Sequence, residues 1–297
     1  MSNKLRKMTL EKKHNLTGWA FLAPATFLIA VFSFWPMIKA LVLSFQTGKG
    51  RNMQMAGFTN YIRMFQDDVF IQSIKNTFFY FILQVPIMLV VALVLACILN
   101  KKDLRFKGFF RTMIFLPCTT SLVAYSIIFR SLFANNGLVN YVLVNIGILD
   151  KPYNFLTQPF AAKMVILLAL LWRWTGYNMV FFLSGLQNIE YSVYEAAKID
   201  GASAIQTFFK ITVPLLKPTI LLTAIMSTNG TLQLFDESVN LTDGGPANAS
   251  ISMSHYIYNL CFKYVPNFGY AAAMSFFILL LVAVLAFIQM RVGDKRD

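Results

Sequence analysis

The sequence predicts an all-α membrane protein with six transmembrane helices and both termini in the cytoplasm. Three observations lead to this fold class: an apolar composition, six long apolar segments, and an uneven distribution of Lys and Arg between them. Of the 297 residues, 57% are hydrophobic and 13% are charged, whereas a soluble domain carries roughly 25% charged residues. The mean hydropathy of +0.58 likewise indicates that lipid surrounds most of the chain.

Six segments are long enough to span, since a spanning helix needs about 20 mainly apolar residues. They are Gly18–Ile38, Thr77–Leu99, Thr112–Leu132, Ala162–Leu183, Thr219–Val239 and Ala271–Met290. We therefore divide the chain into a cytoplasmic tail (1–17), a first transmembrane helix (18–45), a transmembrane domain (73–291) with a cytoplasmic loop (190–218), and a second tail (292–297). The first apolar run lacks a clear cleavage site, so we expect it to be retained.

The orientation follows from the basic residues, because cytoplasmic loops carry an excess of Lys and Arg. Placing the N-terminus inside puts most of them in the cytoplasm, including the group between the second and third spans: Lys101, Lys102, Arg105, Lys107 and Arg111. Topology thus accounts for the net charge of +13. Because these residues form no basic domain, we expect a lipid bilayer and not a nucleic acid as the partner.

Enzyme classes are disfavoured by the residues that the sequence lacks. We find no P-loop, so we expect no cofactor in this chain, with any ATP and Mg²⁺ bound by a partner ATPase. Cys97, Cys118 and Cys261 lie far apart. The two histidines, His14 and His255, fall in a cytoplasmic tail and an outside segment. We therefore expect neither a metal site nor a catalytic centre.

The cytoplasmic loop between the fourth and fifth spans begins with a short predicted helix. Ser192 and Glu195 have the spacing of a capping box, in which the hydroxyl and the carboxylate each bond to backbone at the helix start. Gly201 is predicted to end the helix, because glycine adopts the left-handed conformation without a side-chain clash. The loop is thus predicted to turn sharply at Gly201.

A second short helix is predicted directly after this turn. Ser203 and Gln206 repeat the capping-box spacing, and the helix is expected to extend through Ile211. Pro214 and Pro218 prevent it from continuing unbroken into the fifth span. The predicted loop is therefore a helix, a turn and a helix.

This pattern resembles the "EAA loop" of binding-protein-dependent importer permeases. Glu195-Ala-Ala is followed by Gly201, Ile211 and Pro214 at the family's spacing, and Glu-Ala-Ala-x-x-Asp-Gly-Ala is similar to the maltose-type carbohydrate uptake branch. Further similarity lies in Leu186-Gln-Asn-Ile, Leu241-Thr-Asp-Gly-Gly-Pro-Ala-Asn-Ala and Phe268-Gly-Tyr-Ala-Ala-Ala, within a region from about Phe58 to Arg291. Glu190 departs from the family, which usually has Pro there.

The resemblance implies a type I ABC importer permease in the bacterial cytoplasmic membrane, with a coupling helix that docks in a cleft of an ATPase. The implied coupling residues are Glu195, Ala196, Ala197, Asp200, Gly201, Ile211 and Pro214. The implied partners are a second homologous permease, two ATPase subunits and an extracytoplasmic sugar-binding protein. By the same analogy, the binding protein would contact 58–75 and the loop around Asp243-Gly-Gly-Pro.

Two polar stripes are candidates for the substrate path, because polar residues within a membrane are costly. The spacing of Asn229, Gln233, Asp236 and Glu237 puts them on one helical face of the fifth span. Trp174, Tyr177, Asn178 and Phe181 share a face of the fourth. Aromatic rings and amides suit sugars, which present apolar CH faces and hydroxyls. The candidate substrate residues are Trp174, Tyr177, Asn178, Asn229, Gln233 and Asp236.

Alternatives remain open at this point. The polar residues could instead hold the helices together, as is common in membrane bundles. Arg173 lies well inside the fourth span and needs a partner; we expect Asp236 or Glu237. An importer permease for glycerol phosphate or another solute would favour Arg173 as an anion contact. A secondary transporter is less favoured, because the two halves show no repeat.

Overall fold

This computed structural model describes residues 10–49, 52–101 and 103–293. Within these ranges the chain is almost entirely helical, with one antiparallel hairpin after the first span. Its strands are β1 (Gln46–Lys49) and β2 (Asn52–Met55), with Gln46 opposite Met55.

The helices of the described ranges are short and long segments in alternation. In chain order they are α1 (Leu10–Ile29), α2 (Trp35–Ser44), α3 (Thr59–Met64), α4 (Asp68–Asn100), α5 (Lys107–Thr119), α6 (Leu122–Leu132), α7 (Leu138–Asn145), α8 (Pro159–Gln187), α9 (Tyr191–Ile199), α10 (Ala204–Thr207), α11 (Val213–Leu215), α12 (Lys217–Leu232), α13 (Asp236–Asn240), α14 (Met253–Tyr258) and α15 (Phe268–Gly293). Single π-helical turns occupy Ala30–Phe34, Phe208–Thr212 and Asn259–Lys263.

Four continuous helical segments are long and apolar enough to cross a membrane: His14–Ser44, Asp68–Asn100, Pro159–Gln187 and Phe268–Gly293. Two further pairs pass the same test but are bent. The pair α5 and α6 is bent by 98°, and the pair Ala204–Leu215 and Lys217–Asn240 by 70°. When each bent pair is counted as one span, the six predicted spans are all present.

The third span is broken, although the sequence predicts one helix over Thr112–Leu132. Pro117 lies in the last turn of α5, and Thr119 and Thr120 donate side-chain hydrogen bonds to the carbonyls of Leu116 and Pro117. Hydroxyls that bond to nearby carbonyls in this way compete with the helical ladder. The chain therefore leaves the helix at Thr120, and α6 starts in a new direction.

The fifth span also differs from its prediction. It begins at Lys217, where the chain bends, and its long helix α12 ends at Leu232. Residues 233–235 are not helical, and Asp236 starts the separate short helix α13. The single helical face predicted for Asn229, Gln233 and Asp236 is therefore wrong, because the break rotates the later residues out of register.

Helices α4 and α8 form the centre of the bundle. Near the cytoplasmic loop they pack through Ala92, Ala96, Met179 and Phe182, which are all fully buried. Helix α5 lies close against α8 at Gly176, where an added Cβ would be 1.9 Å from the carbonyl oxygen of Ile114. The α5 backbone can approach this closely only because Gly176 has no side chain.

The opposite end of the bundle is fixed by Asp67, the N-cap of α4. One carboxylate oxygen accepts from the backbone of Val69 and Phe70, and the other accepts from the hydroxyls of Tyr256 and Tyr270 at 2.7 Å each. Burial alone would raise the pKa of Asp67, but these hydrogen bonds outweigh it and hold the pKa below its usual value. Asp67 therefore ties α4 to α14 and α15.

Replacing Asp67 with alanine should destabilise the protein by about 2–4 kcal/mol, because the cap and two charge-assisted hydrogen bonds are lost together. Thermal unfolding in detergent measures this. The matched control is Asp68→Ala, since Asp68 is exposed. The Asp67 contribution should be present above the unfolded pKa of about 3.9 and be lost as pH falls through the lowered folded pKa. Equal melting temperatures for the two variants would contradict the assignment.

Candidate functional site

A cavity of about 310 Å³ lies between α4, α8, α12 and α13. Five of the six candidate substrate residues line it: Trp174, Tyr177, Asn178, Gln233 and Asp236. The two polar stripes thus meet across one space, as the sequence suggests. A role in substrate binding stays a prediction for each of them.

Aromatic rings form one wall of the cavity. Trp174 and Tyr177 meet edge to face with their ring centroids 5.8 Å apart, and Tyr177 meets Phe181 in the same way at 5.1 Å. Trp174 and Tyr177 are only half-buried. Their rings therefore present apolar surface to the cavity in a fixed orientation.

Asn178 is 4% exposed, and both ends of its amide already have partners in the protein. Its Nδ2 donates to the carbonyl of Trp174 at 3.0 Å, and its Oδ1 accepts from Ser227 at 3.3 Å. This bonding favours the helix-packing alternative for Asn178. In contrast, Gln233 and Asp236 keep part of their surface exposed.

Asn229 is the candidate that does not line this cavity. Together with Gln233 it faces a separate groove towards α14 and α15, which also contains Ser254 and Ser275. The amide of Gln233 donates to Oδ1 of Asn229. The break after Leu232 is the reason, because Asp236 and Asn229 no longer share a helical face.

Sequence reasoning missed Gln84, Ser227 and Thr231 in the cavity lining. Thr231 donates to Oε1 of Gln84 and so joins α12 to α4. Gln84 lies in an otherwise apolar span, and an isolated amide in such a run is the signal that could have identified it.

Arg173 does not pair with Asp236 or Glu237; no salt bridge joins them in the described part of the chain. Its guanidinium instead donates to backbone carbonyls at the break of the third span. The distances are 2.9 Å to Thr120, 3.4 Å to Pro117 and 3.4 Å to Cys118. The predicted ion pair is therefore wrong. A broken helix end exposes carbonyls that need donors, and the sequence gives no sign of where the break falls.

Glu237 has a different partner from the one expected. It is 4% exposed, and one carboxylate oxygen accepts a hydrogen bond from the hydroxyl of Tyr125. The ring of Tyr125 also lies 4.8 Å from the Arg173 guanidinium. Tyr125 therefore stands between the two charged groups and contacts both.

The first helix of the cytoplasmic loop, α9, begins after an N-cap at Glu190. Ser192 lies in its first turn and donates to the Glu190 carboxylate at 3.3 Å. The capping box predicted for Ser192 and Glu195 is therefore wrong. The helix starts one residue earlier than predicted, so Ser192 is already helical and is not positioned to cap.

The turn and the second capping box are as predicted. Gly201 has φ +74°, and the backbone N–H groups of Gly201 and Ala202 bond to the carbonyls of Lys198 and Ala197, which is the Schellman arrangement. Ser203 and Gln206 exchange both capping-box hydrogen bonds. The loop is therefore a defined helix pair.

One face of this helix pair packs on the bundle. Ala197 is 6% exposed, and Phe208 and Val213 pack against the buried cluster of α4 and α8. Ile211 is partly buried. The pair is therefore attached to the spans through apolar contacts.

The opposite face of the helix pair is open. Among the implied coupling residues, Glu195, Ala196, Asp200, Gly201 and Pro214 are exposed. Beside them lie three exposed apolar side chains that sequence reasoning missed, Ile199 (86%), Ile205 (72%) and Phe209 (66%). Their signal is an unusual one, namely large apolar residues in a loop outside the membrane.

The loop after α13 is held in a defined shape. Asp243 is paired with Lys263 at 2.6 Å, and Thr242 contacts Ser250 at 2.7 Å. Beneath them His255 is fully buried and contacts Ser238 at 2.9 Å. Burial lowers the pKa of His255 to about 4, which the Asp243 carboxylate only partly offsets. The imidazole is therefore neutral at pH 7.

A helical membrane protein with a cavity among its spans and a rigid helix pair outside them is built as a component of a transporter and not as an enzyme. The chain belongs to the family of binding-protein-dependent transport system inner membrane components, whose profile matches residues 21–296. The family resemblance seen in the EAA-type loop is thereby confirmed.

Individual relatives match over nearly the whole chain. The lactose transport system permease protein LacF of Rhizobium radiobacter is 51% identical over 98% of both chains. The arabinooligosaccharides transport system permease protein AraP of Halalkalibacterium halodurans is 31% identical over 96% of this chain and 90% of its own. A bacterial alginate ABC transporter, solved in complex with an alginate pentasaccharide-bound periplasmic protein, contains a chain that is 25% identical with a TM-score of 0.84, covering 96% of each chain. The predicted fold class, an ABC importer permease bundle, is therefore confirmed.

Proposed function

We propose that this chain is a permease subunit of an ATP-driven, binding-protein-dependent importer for a sugar, in particular an oligosaccharide. The cavity between α8 and α12 carries this proposal, because it combines the exposed rings of Trp174 and Tyr177 with polar groups at Gln233 and Asp236. The names of the relatives, which include lactose and arabinooligosaccharide permeases, support it. The membrane is the cytoplasmic membrane of a bacterium.

The cavity suits a sugar because the two sides of a pyranose differ. Its CH face can lie on an aromatic ring, while its hydroxyls need donors and acceptors. Trp174 and Tyr177 offer the first, and Gln233 and Asp236 offer the second. The protein performs no covalent chemistry; it offers this surface alternately to the two sides of the membrane.

A second, homologous permease completes the pathway. Every described side chain from 14 to 39 is exposed, so the first span has free surface for another subunit. The cavity is likewise only the half of a pathway that one subunit supplies. An extracytoplasmic sugar-binding protein delivers the substrate at 58–75 and at the loop around Asp243, where Phe58 and Ile62 are 68% and 60% exposed.

Two ATPase subunits, which bind ATP and Mg²⁺, drive the cycle from the cytoplasm. The open face of the helix pair, with Glu195, Ala196 and Asp200, is the docking surface, and Ala197 and Ile211 attach the pair to the spans. Because the pair is braced by the Gly201 turn and by Pro214, it can transmit movement of the ATPases to the bundle as a rigid unit.

Reconstitution tests the substrate path. This chain is assembled in proteoliposomes with its partner permease, its ATPases and its binding protein, and uptake of radiolabelled lactose is measured. Tyr177→Ala and Gln233→Ala should each lower uptake about tenfold, equivalent to a loss of about 1.4 kcal/mol, with the complex still assembled. Leu280→Ala, which removes a 65% exposed side chain of α15, is the matched control.

Two outcomes would count against the proposal. Unchanged uptake in both cavity variants would exclude this path, and loss of assembly would favour the packing role. Uptake of glycerol 3-phosphate but not of lactose by the wild-type importer would replace a sugar with a phosphorylated solute. The chain purified alone should hydrolyse no ATP.

A further inference from the structure

We infer that Asp236 makes the cavity select uncharged saccharides against anionic ones such as uronic acids and sugar phosphates. This inference rests on the proposed function for its substrate class. It concerns the electrostatic potential of the cavity, which can be measured whatever the substrate. Three observations carry it: the charges that line the cavity, the bonding of the two carboxylates, and the position of Arg173.

The charged residues of the cavity are all acidic. Among the described residues that line it, Asp236 and Glu237 carry charge, and no Lys, Arg or His is present. The rest of the lining consists of apolar and aromatic side chains with a few amides and hydroxyls. In a site with low-dielectric walls the field of a carboxylate is weakly screened. This half of the pathway is therefore negative.

The two carboxylates differ in what they can do. Glu237 is buried, and the Tyr125 hydroxyl donates to it. Asp236 is partly exposed, and within the described ranges it forms neither a hydrogen bond nor a salt bridge. Its charge therefore faces the cavity uncompensated, where a substrate would meet it.

Arg173 could have reversed this potential, since it lies one residue before Trp174 in α8. Its guanidinium is instead directed to the carbonyls of Pro117 and Thr120, and it does not line the cavity. An anionic substrate would thus meet a carboxylate without a cation from this chain. Placing like charges together is an effective way to reject a wrong ligand.

A cysteine reporter measures the potential directly. Gly230 lines the cavity, and a Cβ there would have no atom within 4 Å, so Gly230→Cys is made with Cys97, Cys118 and Cys261 replaced by alanine. The assembled importer, with the cysteines of its other subunits also removed, is placed in nanodiscs. Modification rates are compared for a cationic and an anionic methanethiosulfonate of similar size, each relative to its rate with free 2-mercaptoethanol.

The cationic reagent should be favoured over the anionic one, and Asp236→Asn should reduce that preference about fivefold. Asp150→Asn, which changes an exposed carboxylate outside the cavity, should leave the ratio unchanged. A ratio that Asp236→Asn does not alter, or a preference for the anion, would overturn the inference. Ser227→Cys serves as a second reporter; failure of both reagents to modify either cysteine would show a closed site and overturn it too.

Protection by sugars separates this inference from the proposed function. Lactose should slow modification of Gly230→Cys with either residue at position 236. Lactobionate, which carries a carboxylate on a similar frame, should protect only in Asp236→Asn. If neither sugar protects while the charge preference still depends on Asp236, the sugar proposal fails and the negative cavity stands. If lactobionate protects as well as lactose with Asp236 intact, the selectivity is refuted.

Discussion

Gly201→Val should abolish transport in the assembled importer, with uptake falling at least about tenfold. Gly201 has φ +74°, a conformation that is a genuine outlier for a β-branched residue. Valine would force the turn to rearrange and would break the two hydrogen bonds that end α9. The helix pair would then lose its orientation. Copurification of the ATPases, stimulated ATP hydrolysis and sugar uptake are the three measurements.

Gly201→Asn is the matched control, since asparagine tolerates the left-handed region much better than other side chains. A Cβ at this position would meet no atom of the chain within 4 Å, so crowding within the permease is not the cause of the expected loss. Asparagine should therefore retain most of the transport. Normal complex formation and uptake in the valine variant would refute the coupling role of this turn.

Arg173→Met should prevent stable assembly of the bundle. Methionine fills a similar space but leaves the carbonyls of Pro117, Cys118 and Thr120 without their donor. A buried polar group without a partner costs about 1–3 kcal/mol, and no water is present in the lipid core to replace the donor. The yield of folded complex and its melting temperature should both fall.

Two further variants separate this explanation from an ion pair. Arg130→Met removes an exposed arginine near the outer end of α6 and should have little effect. Glu237→Gln should be much milder than Arg173→Met, because Arg173 acts on carbonyls and not on that carboxylate. Equal losses in Glu237→Gln and Arg173→Met, with rescue by exchanging the two charges, would restore the ion pair that the structure contradicts.

The spans and the helix pair could be predicted because their signals are local. Apolar length is enough to identify a span, and Gly201, Ser203 and Gln206 fix their turn through neighbours within a few residues. The first capping box failed for an equally local reason: two nearby residues, Glu190 and Ser192, could each have capped α9, and spacing alone did not decide between them.

The breaks in the third and fifth spans could not be predicted in the same way. Leaving a helix inside a membrane is costly unless the freed carbonyls find donors, and the donor for Thr120 is Arg173, far away in sequence. The identity of the residues that face the cavity depends on the second break. Asn229 was therefore expected beside Asp236 and lies instead beside Ser254 and Ser275.

The exposed first span has its main effect while the protein is being made. Over 14–39 no described side chain is buried against the rest of the chain, so its insertion into the bilayer depends on its own hydrophobicity and not on contacts with spans that are synthesised later. It precedes those spans, and basic residues lie before it, so it helps to set the direction in which each of them crosses. Mutations in this helix are therefore expressed as errors of insertion, at a stage before the bundle has any stability to lose.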